Sequence, residues 1–274
     1  MGTIRSMERL RRAALVLVGH GSVRNAQSSA PTRRLAEILH RRELFAEVTA
    51  CFWKESPPLR EALTQVNAAE VFVVPNFAGA GYFTHEVIPR EMGLSGPLTR
   101  VADAKGGVRC IHYTPPVGAH PRLARLVLRR TTAVAERHAL DPATLCLLLV
   151  GHGSRHGSSE TAEALAADVR RTGGLGAVRT AYLEQEPRVK AWPSFVAEQD
   201  VLVLPLLMAE GLHGSEDLPP LFGVSAADLA AITDVPAVGA RFRDRRVWYC
   251  QGIGRDPEVI DIILDQVRQA AERT

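Results

Sequence analysis

The pentapeptide Val-Gly-His-Gly-Ser stands twice in this chain, at residues 18–22 and at 150–154. Each copy closes an apolar run, Ala14-Leu-Val-Leu-Val18 in the first and Leu145-Cys-Leu-Leu-Leu-Val150 in the second. The duplication constrains the fold in two ways. It makes the chain two copies of one domain, and it puts a histidine at the carboxyl end of the first strand of each copy. In open α/β sheets that edge is where ligands bind.

Other anchors repeat in the same order. Cys51-Phe-Trp-Lys-Glu-Ser-Pro-Pro58 corresponds to Ala181-Tyr-Leu-Glu-Gln-Glu-Pro-Arg188, and Val71-Phe-Val-Val-Pro75 to Val201-Leu-Val-Leu-Pro205. From those prolines both halves run without a gap through Gly81 and Gly211 to Pro89 and Pro219. The period is far longer than that of a solenoid, so this is a duplicated domain and not an array. A junction is expected at Ala139-Leu-Asp-Pro-Ala143, where Asp141-Pro142 breaks a helix. That gives lobes at residues 13–140 and 141–274.

Apolar runs alternate with helical patterns. In the first lobe strands are expected at 14–18, 48–52, 71–75 and 108–112, with helices at 28–42, 57–67, 86–92 and 121–138. In the second, strands are expected at 145–150, 178–183, 201–205 and 246–250, with helices at 159–171, 189–197, 216–222 and 257–273. Residues 226–239 read as an extra helix and loop. Continuous Val/Leu strands alternating with helices predict parallel sheets covered on both faces.

Composition limits the function classes. Of 274 residues, 33 are basic and 30 acidic, a net charge of +3 that does not call for nucleic acid. No apolar run reaches membrane-spanning length. The Arg-rich start lacks a cleavage pattern, and its match to a myristoylation signal is read as chance. Cys51, Cys110, Cys146 and Cys250 are dispersed and predict core thiols of a cytoplasmic protein.

The chemistry concentrates in the second half. His152 follows its first strand and Glu184 ends its second. His213 lies eight residues past Pro205, in Met208-Ala-Glu-Gly-Leu-His-Gly-Ser-Glu-Asp-Leu-Pro219. Two imidazoles and a carboxylate on one rim suit a divalent first-row metal such as Co²⁺, Fe²⁺ or Ni²⁺. They also accept protons near neutral pH. Each group has a plainer reading: a Gly-His-Gly turn with a hydrogen-bonded histidine, or a solvated strand-end glutamate. Arg24, Arg33, Arg34, Arg155 and Arg179 are candidate carboxylate clamps or ordinary surface charges. His112 reads as structural, although it would face the same cleft.

The doubled Gly-His-Gly-Ser, the Tyr182-Leu-Glu184 strand end and the Gly-Leu-His…Glu-Asp-Leu-Pro loop resemble the class II tetrapyrrole chelatases. The likeness is to the sirohydrochlorin chelatases of the CbiX/SirB type and covers nearly the whole chain from about Ala13. It implies two tandem flavodoxin-like lobes with the active cleft between them. The implied activity is insertion of cobalt, iron or nickel into sirohydrochlorin in cobalamin or siroheme synthesis, with no tightly bound cofactor. His152 and His213 are implied as metal ligands and proton acceptors, with Glu184 as their carboxylate partner.

The first half departs from that pattern. His20 matches His152, but Lys54 stands in place of Glu184 and Phe83 in place of His213. His85, displaced by two residues, completes a competing set with His20. With both lobes in one chain, a monomer suffices. Two alternatives stay open: a carrier of metal or tetrapyrrole without turnover, and a histidine-type phosphatase suggested by Arg155-His156-Gly157.

Overall fold

The computed structural model describes residues 7–102, 106–153, 160–209, 213–230 and 236–273, without the side chains of Ala26, His213 and Ser215. The elements run β1 (Ala14–Gly19), α1 (Ala30–Arg41), β2 (Glu47–Phe52), β3 (Glu70–Pro75), α2 (Ile88–Met92), β4 (Leu98–Ala102), β5 (Val108–Tyr113) and α3 (Arg122–Arg137). They continue β6 (Leu145–Gly151), α4 (Glu160–Thr172), β7 (Ala177–Tyr182), α5 (Trp192–Phe195), β8 (Asp200–Pro205), α6 (Ala226–Ala230), β9 (Val238–Phe242), β10 (Arg245–Tyr249) and α7 (Glu258–Glu272).

Two five-stranded sheets result, ordered β2-β1-β3-β5-β4 and β7-β6-β8-β10-β9. Every residue of β1 and of β6 is buried, as expected for a central strand covered on both faces. β1 pairs in parallel with β2 and β3, so Val18 lies opposite both Cys51 and Pro75. β6 repeats this, with Val150 opposite Ala181 and Pro205. The chain leaves β1 toward one side and returns on the other, which makes the β1/β3 and β6/β8 pairs the switch points of their sheets. In α1, Thr32, Leu35, Ala36 and Leu39 are buried at helical spacing, an amphipathic face laid on its sheet.

The sheets are not wholly parallel. β4 and β9 run antiparallel to β5 and β10 and form an edge of each sheet. β9 begins within the segment expected to be an extra helix and loop and runs beyond it to Phe242. Both edge strands mix charged and small residues with apolar ones, as edges do, and their sequences carry little strand signal. Several expected helices are tighter or wider turns. Residues 57–67 hold only a 3₁₀ helix, Leu59–Thr64, and residues 189–197 a 3₁₀ turn followed by α5. Pro219 and Pro220 supply no N–H to a regular helix, and Pro219–Phe222 is 3₁₀.

The compact units do not coincide with the repeat halves. One unit holds Met1–His120 and Pro257–Thr274, the other Pro121–Asp256. Each sheet is thus completed by the long helix of the other repeat. In the first unit, Gln266 of α7 donates from Nε2 to the Pro115 and Pro116 carbonyls at 2.8 and 3.1 Å. His120 meets Asp265 at 3.2 Å. In the second, Arg130 of α3 donates to the Gln251 carbonyl at 2.8 Å, and Arg129 to Asp256 at 2.7 Å. Among the described residues no helix is long and apolar enough to cross a membrane.

The first unit is also tied together by a partly buried ionic cluster. Arg9 donates from Nε to both oxygens of Glu70 at 3.0 and 2.9 Å, and from Nη1 to the Ala271 carbonyl of α7 at 2.6 Å. His112 reaches Glu70 from Nε2 at 2.9 Å and stacks on Phe72 with centroids 4.6 Å apart. His112 is therefore turned toward the start of β3 and serves structure, not the cleft. Burial alone would raise the Glu70 pKa. The hydrogen bonds from His112 and Arg9, with their charges, outweigh it and hold Glu70 down at about 2. A depressed carboxylate stabilises the fold above its unfolded pKa, and that contribution is lost as pH falls through the folded value. Thermal melts from pH 7 to pH 2 should show Glu70→Gln less stable than the native chain at neutrality. The gap should close between about pH 4.5 and pH 2. A gap that stays constant across that range would rule out a linkage through Glu70.

Candidate active site at the strand ends

In the second unit three strand exits are laced together by their backbones. The Leu206 N–H donates to the Val150 carbonyl at 2.8 Å, Leu183 to Gly151 at 3.2 Å, and Glu184 to His152 at 2.9 Å. The last bond sets His152 and Glu184 side by side at the ends of β6 and β7. The His152 ring is exposed and Glu184 is half-buried. His152 Nδ1 lies 3.1 Å from the Gly153 carbonyl, which can only accept. The ring proton therefore sits on Nδ1, and the neutral imidazole presents its lone pair at Nε2.

The glycines around this histidine have a steric reason. Gly153 has φ +76°, and a Cβ there would lie 2.8 Å from Gln185 Cβ and 3.0 Å from Tyr182 Cβ. Only a residue without a side chain fits both the left-handed turn and the adjoining strand exit. Behind the turn, Glu163 of α4 accepts from the Thr180 and Tyr182 hydroxyls, both at 2.6 Å. This buttress has no sequence signal, because the three residues come together only in the folded sheet.

His213 opens a π-helical turn, His213–Asp217. Its backbone is placed, but its side chain lies outside the described residues. Ser154, Arg155 and His156 lie outside them too. Widened turns of this kind recur at functional sites. The first unit holds the same turn at Phe83–Val87. There the Thr84 hydroxyl donates to the Gly81 carbonyl at 3.1 Å, and the Tyr113 hydroxyl fastens the turn to β5 through the Thr84 carbonyl at 2.6 Å.

At the first unit's strand ends the backbone is the same and the side chains are not. Lys54 N–H donates to the His20 carbonyl at 2.9 Å, and Asn76 N–H to Val18 at 2.7 Å. His20 Nδ1 is 2.8 Å from the Gly21 carbonyl, again leaving the lone pair on Nε2. The residue brought against His20 is Phe83, with ring centroids 5.3 Å apart. His85 is exposed two places further on, about half a helical turn from Phe83. Among the described residues no group of three or more His, Cys, Asp or Glu is arranged to hold a metal ion.

Other sequence candidates have structural duties. Arg33 donates to the Ser56 carbonyl at 2.6 Å and lies 4.5 Å over the Phe52 ring, and Arg179 pairs with Glu198 at 3.3 Å. Arg24 and Arg34 are exposed. Burial pushes the Cys51 and Cys146 thiols up to about 12 and Cys250 to about 11, so these three stay protonated in the core.

The CbiX family model matches residues 14–134 and, a second time, residues 146–270. A protein of Halobacterium salinarum described as a probable sirohydrochlorin cobaltochelatase is 32% identical, over 94% of this chain and 91% of its own length. A Deinococcus radiodurans multi-domain protein with structural similarity to chelatases superposes with TM-score 0.69 at 29% identity. It covers 93% of this chain, which spans only 54% of that longer protein. SirB from Bacillus subtilis with Fe³⁺ superposes with TM-score 0.68, covering 94% of this chain and 95% of its own. At 19% identity that last likeness is one of fold.

The crowding at the second strand-end turn can be separated from its backbone strain. Gly174 also has a positive φ, +59°, but a Cβ there would meet nothing within 4 Å. Gly153→Ala should therefore lower the melting temperature more than Gly174→Ala. The left-handed cost of about 1 kcal/mol is common to both, and overpacking of about 1–3 kcal/mol applies only at Gly153. Equal shifts in calorimetry would mean that the turn relaxes away from Tyr182 and Gln185.

Proposed function

The chain belongs to the CbiX family, and from that membership we propose that it is a chelatase inserting a divalent first-row metal, cobalt foremost, into sirohydrochlorin. The observation that carries the reading is the backbone bond from the Glu184 N–H to the His152 carbonyl, which sets both residues at the switch-point edge of the second sheet, with His152 Nδ1 turned to the Gly153 carbonyl. The cobaltochelatase description of the Halobacterium salinarum relative supports the choice of substrate and metal.

Insertion of a divalent cation into a free-base macrocycle releases two pyrrole N–H protons for each metal bound. A catalyst must therefore present the cation without holding it too tightly, and must take up protons as the metal–nitrogen bonds form. In this reading His152 and His213 hold the incoming ion through ring nitrogens. Imidazole suits several first-row ions, and the neutral ring is also a proton acceptor near pH 7. Glu184 balances part of the cation's charge and is the second proton acceptor. The Gly153 carbonyl keeps the His152 proton on Nδ1, so Nε2 needs no tautomer change before it acts. A cytoplasmic monomer fits a chain that carries both lobes.

Anaerobic absorbance of sirohydrochlorin with Co²⁺, Fe²⁺ and Ni²⁺, at catalytic protein concentration, tests the reading. Multiple turnovers well above the uncatalysed rate are expected, fastest with Co²⁺. A change that stops at one macrocycle per chain would make the protein a carrier. Replacing His152 and His213 together by alanine should cut turnover by about 10²–10⁴-fold. Unimpaired turnover in that variant would remove both residues from the site.

A further inference from the structure

The rim of the first unit is not simply a failed copy of the second. Phe83 stacks on Phe77 with centroids 5.2 Å apart and meets Trp53 edge-on at 5.8 Å, while His20 leans on it at 5.3 Å. All four rings lie beyond the carboxyl ends of three adjacent strands, β2, β1 and β3. Trp53, Phe77 and Phe83 are half-buried, packed below against the core, and His20 is exposed. Lys54 is exposed, with its Nζ 5.2 Å from the Trp53 ring. At the matching positions the second half has His152, Leu183, Leu207 and His213, with Glu184 in place of Lys54.

Three aromatic residues at positions otherwise filled by Leu, Leu and His, and a carboxylate exchanged for an ammonium, change the chemistry of the rim in one direction. A divalent cation is disfavoured by the ammonium and finds a phenyl where the second imidazole stood. A flat conjugated anion is favoured by every one of the changes: the rings offer stacking surface and Lys54 offers a counter-charge. We propose that this aromatic wall binds the face of the tetrapyrrole, that Lys54 pairs with one of its peripheral carboxylates, and that the first unit takes no part in holding the metal. The proposal rests on the reading of the substrate as a carboxylated tetrapyrrole. It assigns the two copies different tasks, ring binding in the first and metal handling in the second.

The test is equilibrium binding, not turnover. Sirohydrochlorin is titrated anaerobically into the intact protein with a chelator present to exclude metal, and the absorbance shift gives Kd. Phe83→Leu and Trp53→Leu keep apolar bulk while removing the π face. Each should raise Kd about 5- to 100-fold, the range for loss of one stacked aromatic. Lys54→Gln, at an exposed position, should raise Kd several-fold and flatten its dependence on salt. Melting curves of each variant check that the fold is retained, and Lys54→Gln carries the test if an aromatic variant unfolds. Unchanged affinity in folded Phe83→Leu, Trp53→Leu and Lys54→Gln overturns this assignment alone. No binding by the unaltered protein overturns it together with the proposed function.

Discussion

A strand buried on both faces excludes polar side chains along its length, and that exclusion sets where the chemistry of this chain can begin. β1 and β6 contain only Ala, Val, Leu, Cys and Gly, all buried. Their backbone groups pair with the neighbouring strands and, at the exits, with the residues just past them, such as Asn76 on Val18 and Leu206 on Val150. The first polar side chain after the start of each central strand is therefore the histidine just past it, at His20 and His152. Its position follows from the sheet register. Strand pairing continues one step beyond the side-chain core, through the bonds from Lys54 to His20 and from Glu184 to His152. The rim backbone is a continuation of the sheet's hydrogen bonding.

What the duplication keeps is this backbone frame, and what it varies is the pairing of side chains across it. Phe52 and Tyr182 occupy the same place behind the turn. Arg33 covers Phe52 by cation–π contact, whereas Glu163 accepts a hydrogen bond from the Tyr182 hydroxyl. The acid that opens the third strand is Glu70 in one copy and Asp200 in the other. Glu70 is neutralised by Arg9 and His112, and Asp200 by Arg246 on the adjacent strand, through two bonds of 2.6 Å. In each case the environment is satisfied by a different chemical route. The same freedom at the rim allows His213 and Glu184 in one copy and Phe83 and Lys54 in the other, without disturbing the turn that presents them.

This division explains what could be read from the sequence. The central strands and the histidines at their ends were legible because continuous apolar runs and Gly-His-Gly are local signals. The edge strands β4 and β9 were not. Leu98-Thr-Arg-Val-Ala102 and Val238-Gly-Ala-Arg-Phe242 become strands by pairing with β5 and β10, and only the fold supplies that partner. The aromatic cluster around Phe83 was equally hidden. Trp53, Phe77 and Phe83 are 24 and 6 residues apart in the chain and meet only because three strand exits adjoin. Phe83 was visible as a departure from the repeat, but not as a contact of His20.

The long helices carry the same lesson one level higher. Sequence self-similarity places α3 with the first copy and α7 with the second, since each follows the last parallel strand of its own repeat. The chain instead completes the first sheet with α7, whose buried face includes Val259, Ile263 and Val267, and the second with α3. Gln266 then serves the carbonyls of Pro115 and Pro116 in the loop after β5, and Arg130 those of Gln251 and Gly252 in the loop after β10. In both loops the donors to these carbonyls thus come from a helix of the other repeat. The repeat that duplicated and the unit that folds consequently differ by one helix. The first sheet therefore waits for α7, more than a hundred residues beyond its last strand, whereas the second, preceded by α3, has all its parts by Asp256.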